Sequence, residues 1–164
     1  AKILSEEKQT ERIARNFADA RGFFFIGRGL AYPPALEGAL KLKEISYLHA
    51  EAFPAGEMKH GPIALLDKEL PVVALVPKND LWEKTISNIE ESMARKSPII
   101  ALATEGDAEI GHYSKNVIFT PETEPELFPF VAVVPLQLFA YYVARQRGCD
   151  IDMPRNLAKS VTVE

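Results

Sequence analysis

The sequence predicts an α/β protein, an αβα sandwich built on a doubly wound parallel sheet. Two observations carry that expectation. Short runs that are apolar from end to end, Phe23-Phe24-Phe25-Ile26, Val72 to Val76 and Pro98 to Ala103, alternate with segments of helical period, and strands buried on both faces read this way in parallel sheets. The first such run also leads directly into Gly27-Arg28-Gly29 and a helix, a strand-to-helix corner of the kind found on the ligand-binding edge of these folds. At 164 residues, 47% hydrophobic and 26% charged, the chain is expected to form one domain over residues 1–164, with a tail from 150 to 164 belonging to it.

Each element has its own local reason. From Glu6 to Ala20, Ile13, Ala14, Phe17 and Ala18 fall between charges at the spacing of one helix face. The aromatic and β-branched run 23–26 follows as a strand. Pro33-Pro34 suits a first helical turn, and Ala35 to Leu48 is rich in good helix formers. Val72 to Val76 is the next strand, Trp82 to Arg95 a helix, Pro98 to Ala103 a strand and Asn116 to Phe119 another. Glu126 to Gln146 is the last long helix, and Pro121-Glu122-Thr123-Glu124-Pro125 before it is a stiff acidic loop. Pro129, Pro135 and Gln137 interrupt its apolar run, so a helix buried on several sides is expected rather than a membrane span.

Bulk properties narrow the function. A net charge of −4 and no basic run give no pull toward nucleic acid or anionic lipid. One cysteine, Cys149, permits no intrachain disulfide and no thiolate cluster, as suits a reducing cytoplasm. The start of the chain lacks the layout of a secretory signal, so a cytoplasmic location is expected. His49 and Glu51 form an H-x-E without the paired cysteines a zinc site of that type needs, so neither a metal nor another cofactor is expected.

The chemistry-bearing residues gather in three places. Glu37, Lys41 and Glu44 stand at i, i+4 and i+7 on one helix, where Lys41 reaches either carboxylate. The pattern is that of a solvated ion-pair ladder, or of a tunable base if the stripe faces a cleft. His60 lies between Lys59 and Gly61-Pro62 in a glycine-flanked loop, as a hydrogen-bonded surface group or as a general acid/base. Lys159 sits in a tail, Asp152 to Val163, too apolar for a disordered end. If docked, it neutralises an anion or forms a Schiff base. Gly27-Arg28-Gly29 lacks the third glycine of a dinucleotide fingerprint and reads as a tight turn or a weak phosphate loop.

Taken together, Gly27-Arg28-Gly29, the Leu36 to Glu44 helix with Ile45-Ser46-Tyr47 after it, His49-Ala50-Glu51-Ala52, the Gly56 to Pro62 loop, Val134-Pro135-Leu136-Gln137-Leu138 and Pro154 to Glu164 resemble the carboxyl-terminal half of the isomerase region of the glucosamine-6-phosphate synthases, the glutamine:fructose-6-phosphate amidotransferases. The resemblance implies a sugar isomerase (SIS) domain. It implies Glu44 as the base that moves a proton between C1 and C2, Lys41 as its neighbour in that relay, and Lys159 as the Schiff-base amine. His60 would assist ring opening from across a subunit interface, and Ala158, Lys159 and Glu44 would contact the sugar phosphate, fructose 6-phosphate or glucosamine 6-phosphate.

The same resemblance implies partners: a second SIS domain and a glutaminase domain. The family's glutaminase uses an amino-terminal cysteine and its first SIS domain a Ser/Thr-rich phosphate loop. This chain begins with Ala1 and has scattered hydroxyls, so the chain alone is expected to lack synthase activity. A homodimer or a complex with the other SIS domain is expected from Phe128, Phe130, Phe139, Tyr141 and Tyr142 on the last helix. A free-standing SIS-fold isomerase or deglycase, and a non-catalytic sugar-phosphate-binding module, are the competing readings.

Overall fold

Strand β1 (Gly22–Gly27) is buried along its whole length, and its side chains dictate the architecture. Phe23, Phe24, Phe25 and Ile26 are each at most 1% exposed, and successive side chains of a strand point to opposite faces. Phe23 and Phe25 enter one core, Phe24 and Ile26 the other. Burying each contributes about 1.5–3 kcal/mol, so both faces of the sheet must be covered. A computed structural model of the chain describes residues 3–157 and shows how.

Five parallel strands lie in the order β2-β1-β3-β4-β5. They are β1, β2 (His49–Pro54), β3 (Val72–Val76), β4 (Ile99–Thr104) and β5 (Asn116–Thr120). Three helices, α1 (Glu7–Phe17), α2 (Tyr32–Ser46) and α4 (Phe128–Gln146), cover the face that holds Phe25, Val73, Leu75 and Leu102. The other face, with Val72, Ala74 and Ala101, is covered by α3 (Trp82–Met93) and by short turns that insert Met58, Leu66 and Ile110. This is the expected doubly wound αβα sandwich. The chain moves outward from β1 to β2 and then returns to β3 on its other side, which puts the topological switch point at the carboxyl ends of β1 and β3.

Two departures from the expected elements have physical causes. Residues 49–54 form an edge strand not among the expected elements, β2, paired to β1 from Gly22↔His49 to Gly27↔Pro54. As an edge strand it exposes His49 and Glu51 while burying Ala50, so it lacks the apolar run that marks the inner strands. The helix expected to run to Leu48 ends at Ser46, because Tyr47 turns left-handed (φ 61°) and its N–H caps Lys43 O at 3.3 Å.

The amino-terminal turn of α2 depends on glycine. A Cβ on Gly27 would lie 2.3 Å from Ala31 O and 2.5 Å from Ala31 C, and Gly29 has φ 52°. Gly27-Arg28-Gly29 is therefore the tight strand-to-helix turn. Helix α4 is apolar because it is buried on several sides, with Pro135 inside it. Residues Pro125–Gln146 are long and apolar enough to cross a membrane by length and composition, yet half of the most apolar window is buried in protein, as in a core helix.

Candidate functional site

The carboxyl end of α2 is where the chemistry gathers. Lys41 Nζ donates to Glu44 Oε2 at 3.1 Å and lies 3.7 Å from Glu37 Oε1. The three side chains are about a quarter to a third exposed. The hydrogen bond from Lys41 to Glu44 holds the ammonium above its ordinary value against the opposing effect of burial, with the Glu37 and Glu44 charges adding to it. Lys41 is thus a protonated donor to Glu44 at neutral pH, not a base.

The same end of α2 is stitched to the rest of the fold. Arg147, just past α4, donates from Nε to Ser46 O at 3.2 Å and from Nη1 to Ala18 O at 3.0 Å, joining the ends of α1, α2 and α4. The chain then comes back to α2. Asp150 Oδ1 accepts from the N–H groups of Asp152 and Met153 at 3.1 and 2.9 Å, forming a turn. Arg155 N donates to Tyr47 Oη at 3.0 Å, and its guanidinium stands 3.8 Å over the centre of the Tyr47 ring. Tyr47 is three residues past Glu44, and Leu157 is the last described residue. The expected contributions of Ala158 and Lys159 lie outside the described residues.

The triad stands apart from a broad cleft of the fold. That cleft, about 800 Å³, lies at the carboxyl edge of the sheet among Gly29, Lys78, Asn79, Thr104, Glu122 and Phe128. Glu44 is twelve residues beyond the start of α2 at Tyr32, about 18 Å along the helix axis at 1.5 Å per residue. It sits instead beside an open surface. Leu40, one helical turn before Glu44, is 41% exposed, Leu36, nearer the start of α2, is 46% exposed, and Phe130 near the start of α4 is 75% exposed. A groove of about 290 Å³ runs between the starts of α2 and α4, lined by Pro33, Pro34, Glu37, Pro129, Phe130 and Val133. Of the five aromatics expected to seek a partner, Phe128, Phe139 and Tyr142 are buried within this chain. Phe130 and Tyr141 remain exposed, as do Leu36 and Leu40 of α2.

His60 ends the turn Ala55–His60 past the carboxyl end of β2 and is exposed. Glu44 precedes the other end of that strand, so six residues of β2 at about 3.3 Å each put some 20 Å between the two groups within one chain. His49 and Glu51 project together from the edge strand, 3.7 Å apart and more than half exposed. Among the described residues no three His, Cys, Asp or Glu side chains gather at one point.

Beside His60 is a network that sequence reading missed. Arg28 Nε donates to Asn88 Oδ1 at 3.0 Å, Asn88 Nδ2 donates to Glu91 Oε2 at 3.1 Å, and Glu91 Oε1 lies 2.7 Å from Lys59 Nζ. Burial pushes the Glu91 carboxyl up, but the hydrogen bonds from Lys59 and Asn88 and the Lys59 and Arg95 charges outweigh it and hold it below its ordinary value. Arg28 stood out only as part of the glycine turn, and its partner lies 60 residues away.

The sequence profile of the SIS domain matches residues 16–146, from the end of α1 to the last residue of α4. The chain belongs to the SIS domain family. Within it, this SIS domain is 58% identical over 162 residues to the isomerizing glutamine–fructose-6-phosphate aminotransferase of Thermus thermophilus, covering 99% of this chain and 27% of the relative. It is 56% identical to that of Methanosarcina mazei, covering 99% and 26%. The solved C-terminal domain of glucosamine-fructose-6-phosphate aminotransferase from Francisella tularensis superposes with a TM-score of 0.85 at 42% identity, over 92% of this chain and 43% of that one. The expected kinship with the carboxyl-terminal SIS domain of these aminotransferases is thereby shown. The chain spans about a quarter of the length of the curated relatives it matches.

Proposed function

We propose that this SIS domain supplies the proton-transfer residues of an isomerizing aminotransferase that makes glucosamine 6-phosphate from fructose 6-phosphate and glutamine-derived ammonia. The observation that carries the reading is the return of the chain to the end of α2. Arg155 packs on Tyr47, three residues from Glu44, and Lys159 follows four residues later, within about 14 Å of extended chain. In this reading a carboxylate and an amine serve one open-chain hexose.

In this mechanism the Lys159 amine condenses with the C2 carbonyl and water leaves. Ammonia then adds to C2 of this iminium and the Lys159 amine leaves, so the sugar keeps a C2 imine. That imine acidifies the C1–H bonds, and Glu44 takes a proton from C1 and returns it to C2 while the C1 hydroxyl loses its proton, giving the C1 aldehyde and the C2 amine. Lys41, held protonated against Glu44, orients that carboxylate. His60 assists ring opening in the site of a second copy, a role compatible with its separation from Glu44 along β2. Leu36 and Leu40 on α2 and Phe130 on α4, all exposed, are the kind of surface that the second SIS domain or another copy covers. That partner supplies the phosphate grip, and a glutaminase domain supplies ammonia.

The test is Glu44→Gln in the complete assembly. The reading expects fructose 6-phosphate to bind within about twofold of wild type, while exchange of sugar protons with solvent falls by at least about a hundredfold. Undiminished exchange would remove Glu44 from the mechanism. A non-catalytic binding module, by contrast, would show no turnover to lose. The purified chain alone is expected to form no glucosamine 6-phosphate from fructose 6-phosphate and glutamine.

A further inference from the structure

The turn that carries His60 is fixed at three points, and all three lie on this chain. Ala55 and Met58, at most 1% exposed, anchor it into the core beside α3. Gly56 lies against the Arg28 guanidinium, where a Cβ would come within 3.2 Å of Nη2. Lys59, adjacent to His60, is paired at 2.7 Å with Glu91 of α3. These contacts form one continuous chain. Arg28 donates to Asn88 Oδ1, and the Asn88 amide, 3% exposed, uses its other end to donate to Glu91, which takes Lys59 on its second oxygen. Each side of the amide meets the partner it requires, so neither Arg28 nor Glu91 can turn away without leaving a buried polar group unpaired. Immediately after His60 the backbone passes through Gly61 at φ 140°, a conformation other residues rarely adopt.

Such a strut does little for stability. The Lys59 side chain is 59% exposed, and exposed ion pairs are worth about 0–1 kcal/mol. What it does is fix direction, and a catalytic group that serves another subunit needs its aim supplied from its own chain. We infer that Lys59 and Glu91, backed by Asn88 and Arg28, are positioning residues that hold the His60 turn for reaction in the neighbouring copy's site. The inference rests on the proposed function, in which His60 assists ring opening.

The experiment is steady-state kinetics of the complete assembly on fructose 6-phosphate. In Lys59→Met and in Glu91→Gln, kcat falls about three- to fivefold while KM stays within about twofold, as expected when a reacting group is misplaced without loss of ground-state contacts. The double variant is no slower than either single one, Lys59→Arg restores most of kcat, and the melting temperature of each variant stays at the wild-type value. Wild-type kcat in both single variants overturns the inference. So does a loss that tracks a lowered melting temperature and is not restored by Lys59→Arg. His60→Ala separates the two levels. If it is inactive while Lys59→Met is fully active, only the strut fails; if it is fully active, the role of His60 fails and the strut with it.

Discussion

The docking of the tail on Tyr47 can be tested quantitatively. Tyr47 makes two separable contacts: its hydroxyl accepts from Arg155 N at 3.0 Å, and its ring lies 3.8 Å beneath the Arg155 guanidinium. A hydrogen bond of this kind contributes about 0.5–1.5 kcal/mol, and an exposed cation–π contact about 0.5–1 kcal/mol. Tyr47→Phe removes only the first, and Tyr47→Leu removes both. Each keeps a Cβ, so the cost of the left-handed backbone at position 47 is unchanged.

At 1.4 kcal/mol per factor of ten, the open population of the tail should rise about 2- to 12-fold in Tyr47→Phe and about 5- to 60-fold in Tyr47→Leu. Trypsin cleavage after Arg155 reads that population directly when opening and closing are fast relative to cutting. In the complete assembly, kcat/KM should fall in the same order, Phe before Leu, because the tail amine spends less time at the sugar. Wild-type cleavage and kcat/KM in Tyr47→Leu would refute the reasoning, since the tail would then owe its place to something other than the end of α2.

Two further predictions follow from the frame that holds the site. Gly27→Ala puts a Cβ 2.3 Å from the backbone oxygen of Ala31, where no side-chain adjustment relieves it; urea denaturation should show a loss of about 3 kcal/mol or more. Tyr142 donates its hydroxyl to Glu7 Oε1, and this hydrogen bond, with burial and the neighbouring carboxylate charge, pushes its pKa from 10.0 up to about 12. Because the folded state holds that proton more tightly, the contribution is complete below pH 10 and is lost between about pH 10 and pH 12. Stability of the wild type should therefore fall more steeply across that window than stability of Tyr142→Phe.

The inner strands were legible because Phe23 to Ile26, Val72 to Val76 and Ile99 to Ala103 are buried on both faces, and only apolar residues survive there. Strand β2 was not, because an edge strand with one wet side needs only Ala50 buried and leaves His49 and Glu51 to solvent. The charged stripe on α2 was visible at its spacing, and the contacts from Lys41 to both carboxylates follow it. Its place at the far end of α2 from the large cleft follows from helix direction and length, which periodicity alone does not weigh. Tyr47 and Arg155 are 108 residues apart and Arg28 and Asn88 are 60 apart, and no local pattern announces such pairs. The aromatics of α4 carried an ambiguous signal. The same composition describes Phe139 packed edge-on against Phe23 and Phe130 standing in the open.

The most direct test is the structure of the complete assembly with fructose 6-phosphate bound. The account predicts Lys159 Nζ bonded to C2 of an open-chain sugar and a Glu44 carboxylate oxygen within about 3–3.5 Å of C1. A sugar phosphate seated elsewhere, with Glu44 and Lys159 both out of hydrogen-bonding reach of its carbon skeleton, contradicts it.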